Sequence, residues 1–270
     1  MFLHPTSRDI SYAMDKNKEN GLSIIELMVA LLLSSLIILG VTQIYIDNKR
    51  SYLFQQAQVD NSDAARFSVV FLENELNKAG FRRRPDIDME EIFKVDANRG
   101  FAQSGSVATA IANGIGIRYR YQASHPELEA CKDADRTAIA ATQTQAYVGF
   151  NADILVSEIK YDTDTLKCDD EVILENVADF KLFYAVGDRS DAGRTISEFT
   201  STTPTANDEI RGVRYEILFA SPNANATDIK DNLVYRNWRK KHYNEDNATP
   251  SDGRIYQVAS NTIIFRNVTP

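Results

Sequence analysis

Leu22 to Ile46 is a run of 25 residues in which Glu26 is the only charged side chain. At about 1.5 Å rise per residue such a run makes a helix of about 37 Å, enough to cross a hydrocarbon core of about 30 Å. It therefore predicts one membrane-spanning helix over about residues 22–46, with the rest of the chain folding outside the bilayer. A carboxylate in that setting costs a few kcal/mol on insertion scales. Glu26 then either rests at headgroup level, four residues into the apolar run, or meets a partner inside the membrane.

Beyond Ile46 the sequence turns polar but contains no Gly or Pro until Gly80, so the helix is expected to continue out of the bilayer to about Ala79. Ala65, Val69, Leu72, Leu76 and Ala79 alternate in steps of four and three, with Phe67 and Phe71 broadening the seam. Glu73, Asn74, Glu75, Asn77 and Lys78 are expected to face elsewhere. The seam predicts a helix lying on its own head, or a coiled coil with a partner. Gly80 reads as the terminator and Gly40 as the point of bending. After Phe81 the period changes to two: Ile115, Ile117, Tyr119 and Tyr121 alternate with Gly116, Arg118 and Arg120, a half-exposed strand. Further strands are expected over 154–161, 172–174, 180–186, 213–220 and 255–265, the last with a break near Ser260. The fold class is α+β, with a long N-terminal helix (22–80) and a β-rich, mostly antiparallel head (81–270).

A net charge of −8 over 270 residues argues against general nucleic-acid binding, which clustered Lys and Arg drive. One basic stretch stands out. In Tyr235–Tyr243, Arg236, Arg239, Lys240, Lys241 and His242 interleave with Trp238, the only tryptophan. Such a patch suits single-stranded nucleic acid or an acidic partner, and equally a plain surface strand edge or loop. Asp162, Asp164, Asp169, Asp170 and Glu171 surround a turn and offer oxygen ligands for Ca²⁺, but the EF-hand pattern fails and a solvated acidic turn explains them as well. Arg82, Arg83 and Arg84 follow the helix glycine, where they can satisfy the last helix carbonyls. The two cysteines, Cys131 and Cys168, can pair if the head is exported; two free thiols or a metal pair are the alternatives, the last poorly served without a CxxC or nearby histidine. His4, His125 and His242 belong to no catalytic motif, so no enzyme activity and no cofactor are expected.

The stretch from Gly21, with Glu26 at the fifth position after it and LMVALLL beyond, resembles the type III leader of type IV pilins and type II secretion pseudopilins. That resemblance implies cleavage after Gly21 by a membrane prepilin peptidase, methylation of the new amino terminus at Leu22, and removal of residues 1–21. Leu22 stands where the family more often has Phe or Met. It also implies that Glu26 pairs with a neighbouring subunit's terminal amine, which sets register in a filament.

Three further segments, FSVVFLENELNKAGF, VILENVADFKLFYAV and RIYQVASNTIIFRNV, resemble the PilW-like minor pilins. This implies a single-pass inner-membrane precursor with a periplasmic head, moved to the surface pilus on assembly. Its expected partners are other minor pilins, a major pilin, a tip adhesin, the inner-membrane assembly platform and, before assembly, membrane lipid. Initiation of assembly or a place in the tip complex would be its role, with adhesion, twitching motility or DNA uptake as outputs. A type II secretion pseudopilin of the J kind is the alternative, and a membrane-tethered ligand- or DNA-binding module the second.

Overall fold

The computed structural model describes residues 21, 23–122, 131, 154–191, 193–224 and 232–268. Leu22, the segment before Gly21 and His125 lie outside them. Two units divide the chain, residues 1–49 and 50–270.

In the first unit the described residues form the start of helix α1, Ile24–Leu76, which is helical through Gly40. Through Ile46 its side chains are exposed among the described residues: Ile24 is 80% exposed, and Leu31, Ile37 and Ile44 are more than half exposed. Mean hydropathy reaches 2.6 over an 18-residue window, none of it buried. By length and composition this helix can cross a membrane.

The second unit holds the head. Here α1 buries one stripe, Ala57, Asn61, Ala65, Ser68, Leu72, Glu75 and Leu76, whose steps of three and four keep them on one face. The stripe differs from the expected seam. Ser68 takes the buried place and Val69 is half-buried, while Phe67 points to solvent. Small residues at 57, 65 and 68 let the helix approach the sheets closely.

The helix ends at Leu76, and a turn runs to Gly80, where φ is +73°. An added Cβ there would stand 3.0 Å from Val268 Cγ2, so glycine is required both by conformation and by space. The carbonyls of Asn77 and Ala79 accept from Asn267 Nδ2 at 3.0 and 3.1 Å. The capping role expected of the arginines falls to this asparagine. Arg82 instead reaches the carbonyl of Ile87, and Arg84 pairs with Asp86.

A one-turn helix α2 (Met89–Ile92) and a 3-10 turn (Ala97–Arg99) precede the strands. In chain order these are β1 (Ala108–Ala110), β2 (Ile115–Gln122), β3 (Ile154–Asp162), β4 (Thr165–Cys168), β5 (Glu171–Leu174), β6 (Val177–Asp188), β7 (Glu198–Thr200) and β8 (Asp208–Ala220). Helix α3 (Leu233–Tyr243) and β9 (Tyr256–Ile264) follow. The strands form two antiparallel sheets, β1-β2-β3-β4-β5 and β7-β6-β8-β9. β9 runs unbroken through Ser260, which is exposed opposite Glu216.

The registers put Ile117 opposite Ile159 and Tyr184 opposite Val213, so the inward residues of both sheets join Leu72 and Leu76 in one core. A buried hydrogen bond from Tyr184 Oη to the Gly116 carbonyl, 2.7 Å, links the sheets. β2 is not half-exposed. Arg120, expected outward, is 2% exposed, lies over the rings of Phe93 and Phe101 at 5.3 and 4.4 Å, and donates to the carbonyls of Phe93, Lys94 and Ser106. The segment between α2 and β1 covers the strand's outer face. Burial pulls the Arg120 guanidinium down to about 10.

Candidate functional site

The first turn of α1 carries the candidate assembly residue. Leu27 N–H donates to the Ser23 carbonyl at 3.1 Å, which opens the helix, and Glu26 lies in that turn. A carboxylate there meets the positive end of the helix dipole, and the spacing Ser23-Ile24-Ile25-Glu26 is that of a capping box. Glu26 is exposed, ringed by exposed Ile24, Ile25 and Met28. Further along, the hydroxyls of Ser34, Ser35 and Thr42 donate to the carbonyls of Ala30, Leu32 and Ile38, each at 2.7 Å. These polar groups are therefore satisfied within the helix, as an apolar surround demands. Among the described residues, an added Cβ at Gly21 meets nothing within 4 Å.

In the head, Cys131 and Cys168 form a disulfide with Cα atoms 5.7 Å apart. Cys168 is buried at the end of β4, and the bridge ties Cys131 to the core. Beside it sits Glu75, which the helical pattern placed toward solvent. It is 9% exposed, accepts from Tyr119 Oη at 2.9 Å, pairs with Lys78 Nζ at 2.7 Å and lies 3.5 Å from Cys131 Sγ. Burial, reinforced by that carboxylate, pushes the Tyr119 hydroxyl well above its ordinary value. Glu75, Cys131 and Cys168 are close enough to share an ion, but both sulfurs are joined to each other, so neither is a thiolate ligand.

The basic stretch is neither strand edge nor loop: residues 233–243 are α3. Asn232 caps it by accepting Tyr235 N–H at 3.2 Å, and Asn244 closes it in the left-handed region with its N–H on the carbonyls of Arg239 and Lys240. Trp238 offers no stacking platform. It is 3% exposed, packs with Leu218, Ala220 and Tyr256, and donates Nε1 to Asp179 Oδ2 at 2.8 Å. Arg239 pairs with Glu245 and Lys240 with Asp246, both at 2.7 Å, while Lys241 and His242 meet the buried Glu216 at 2.5 and 3.0 Å. Arg239, Lys240, Lys241 and His242 thus each face an acid in place. Burial, together with Lys241, outweighs the pull of Glu216 and lowers the His242 pKa. Arg236 is half-buried on the same helix.

The acidic residues fall at two separate hairpins. Thr163-Asp164 joins β3 to β4, and Asp169-Asp170, both with positive φ, joins β4 to β5, the conformation of a two-residue hairpin loop. Asp169 Oδ1 accepts Glu158 N–H at 2.7 Å, and Asp162 pairs with Lys167 at 2.6 Å. The hydrogen bond from Lys167 holds the Asp162 carboxyl below its usual range. Asp162, Asp164, Asp169 and Asp170 each serve a turn or an ion pair, and Glu171 is an exposed residue opening β5.

Residues 16–42 match the family description "Prokaryotic N-terminal methylation motif". The chain carries a prepilin-type methylation motif. That match spans Gly21, Leu22, Glu26 and most of the apolar run. Among solved structures, four chains match. One is a type IV-like pilin from Thermus thermophilus, 11% identical, aligned over 77% of this chain and 98% of that one with a TM-score of 0.42. No curated protein matches.

Proposed function

We propose that this chain is a minor subunit of a type IV pilus, of the PilW-like kind, made as a single-pass inner-membrane precursor with its head in the periplasm. Prepilin peptidase cuts after Gly21 and methylates Leu22, and the subunit then enters an initiating or tip complex with other minor pilins. The observation that carries this reading is the coincidence, in one methylation motif, of Gly21 with a helix whose apolar side chains from Ile24 to Ile46 are exposed and whose first turn bears Glu26. In apolar surroundings an unpartnered carboxylate is costly, and a neighbour's terminal amine relieves it. The same exposed helix that holds the precursor in lipid serves, after the cut, as a packing surface for like helices.

Amino-terminal sequencing of the membrane-extracted protein tests the first step, with N-methylated Leu22 as the expected first residue. For the second, Glu26→Ala keeps membrane insertion but lowers the subunit's level in sheared filaments. An unchanged level in the mutant overturns the assembly role of Glu26. A tethered nucleic-acid-binding module is the weaker reading, because Trp238 is buried and Arg239, Lys240 and Lys241 are each paired with an acid.

A further inference from the structure

The sequence contains three Asn-x-Thr triplets: Asn225-Ala226-Thr227, Asn247-Ala248-Thr249 and Asn267-Val268-Thr269. In an exported protein this pattern, with x other than Pro, is the acceptor for an N-linked glycan and belongs on a surface loop. The structure separates them. Asn267 is engaged: its Nδ2, the atom that would carry the sugar, donates to the carbonyls of Asn77 and Ala79 and closes the end of α1. Asn225 and Thr227 lie outside the described residues.

Asn247 is different in every respect that matters to an acceptor. It sits in the turn after α3, its side chain is exposed, and neither it nor the exposed Thr249 makes a side-chain hydrogen bond among the described residues. Both flanks of the turn are fixed. On one side, Asn244 and Glu245 donate backbone N–H groups to the last α3 carbonyls, and Arg239–Glu245 and Lys240–Asp246 pair at 2.7 Å. On the other, Pro250 is buried and Tyr256 Oη donates to Asp252 at 3.0 Å. The clamps hold the ends while leaving the amide and the hydroxyl two residues on, within local reach of one another, turned to solvent.

We propose that Asn247 is an N-glycosylation site of the exported head, an inference that rests on the export reading above. The donor is a polyprenyl-diphosphate-linked oligosaccharide. Asn247 Nδ2 attacks the sugar's anomeric carbon; the new C–N bond replaces the C–O bond to the diphosphate, the polyprenyl diphosphate leaves, and one amide proton is released.

The test uses the full chain isolated from the envelope of its own cells and digested with trypsin. The peptide His242–Arg254 should carry a saccharide mass on Asn247. That mass should vanish in Asn247→Gln and in Thr249→Val, persist in Thr249→Ser, and be unaffected by Asn267→Gln. An unmodified His242–Arg254 peptide in the wild-type protein overturns the proposal, and so does a saccharide that survives Asn247→Gln. Sequencing the amino terminus of the same sample reads export and processing separately, so a chain beginning at Leu22 with bare Asn247 defeats this inference and leaves the assembly role standing.

Discussion

Glu75 is where the helix is fastened to the first sheet, and removing its carboxylate should reveal how firmly. Glu75→Leu deprives the fully buried Tyr119 hydroxyl of its acceptor at 2.9 Å and frees Lys78 from a 2.7 Å ion pair. An orphaned buried hydroxyl costs about 1–3 kcal/mol, and the partly shielded ion pair adds at most about 1 kcal/mol. Leucine recovers part of this through apolar contact, leaving an expected loss of about 1–3 kcal/mol. Tyr119→Phe alone leaves a buried carboxylate short of one donor and should cost about 1.5–3 kcal/mol. The double variant removes both partners together, so it should be less damaged than the sum of the singles, with a coupling of about 1–2 kcal/mol. Urea unfolding of the full chain in detergent, followed through the buried Trp238, measures all four forms at an unchanged denaturant slope. Costs that simply add, to within about 0.5 kcal/mol, would refute the idea that this hydrogen bond joins helix to sheet. Glu75→Gln, which keeps an acceptor for Tyr119, should lose less than Glu75→Leu.

Reduction, or replacement of both Cys131 and Cys168 by Ser, reopens a loop spanning 37 positions and should lower head stability by about 4 kcal/mol in the chain-entropy estimate; equal urea midpoints with and without reductant would contradict this. Gly80→Ala forces a Cβ into the left-handed region 3.0 Å from Val268, and a loss of at least about 1 kcal/mol is expected in the same assay. His242 has a folded pKa below its ordinary value of about 6.5, so unfolding takes up a proton in that region. Its contribution is complete above pH about 6.5 and lost as pH falls through the lower folded value. The Glu216 carboxyl, raised by burial but lowered further by Lys241 and His242, has the same sign in a more acid window. Thermal unfolding between pH 7 and 5 should therefore show a decline that His242→Gln flattens; an identical profile in the variant would exclude His242 as its source.

The sequence made the long elements readable because their periods are sustained. Alternation in 115–121 and 213–220 identifies β2 and β8, and the break-free run to Gly80 identifies α1. Strands β1, β4 and β7 have three or four residues each, too few for a period to emerge. Ser260 looked like a break because polar residues interrupt an apolar run; β9 is an edge strand, where an outward serine costs nothing. Helix α3 was hidden by its chemistry. Trp238 is its one fully buried side chain, so no apolar stripe marks it, and the asparagines at 232 and 244 were its only signals. Glu75 and Arg120 went unseen for a shared reason: each is a charged residue buried by a segment distant in sequence, and local pattern reading assigns charge to solvent. Gly21 and Glu26 fall inside the methylation motif, whose spacing within the apolar run is itself the sequence signal.

The asparagine that closes α1 comes 190 positions after the carbonyl it caps. During synthesis the helix emerges early, yet the carbonyls of Asn77 and Ala79 just beyond it have no Asn267 amide to accept from until β9 has been delivered and laid beside β8. A polypeptide interrupted anywhere between would offer bare carbonyls and an uncovered Gly80 turn, so the finished surface at the helix end is itself a mark of a completed head.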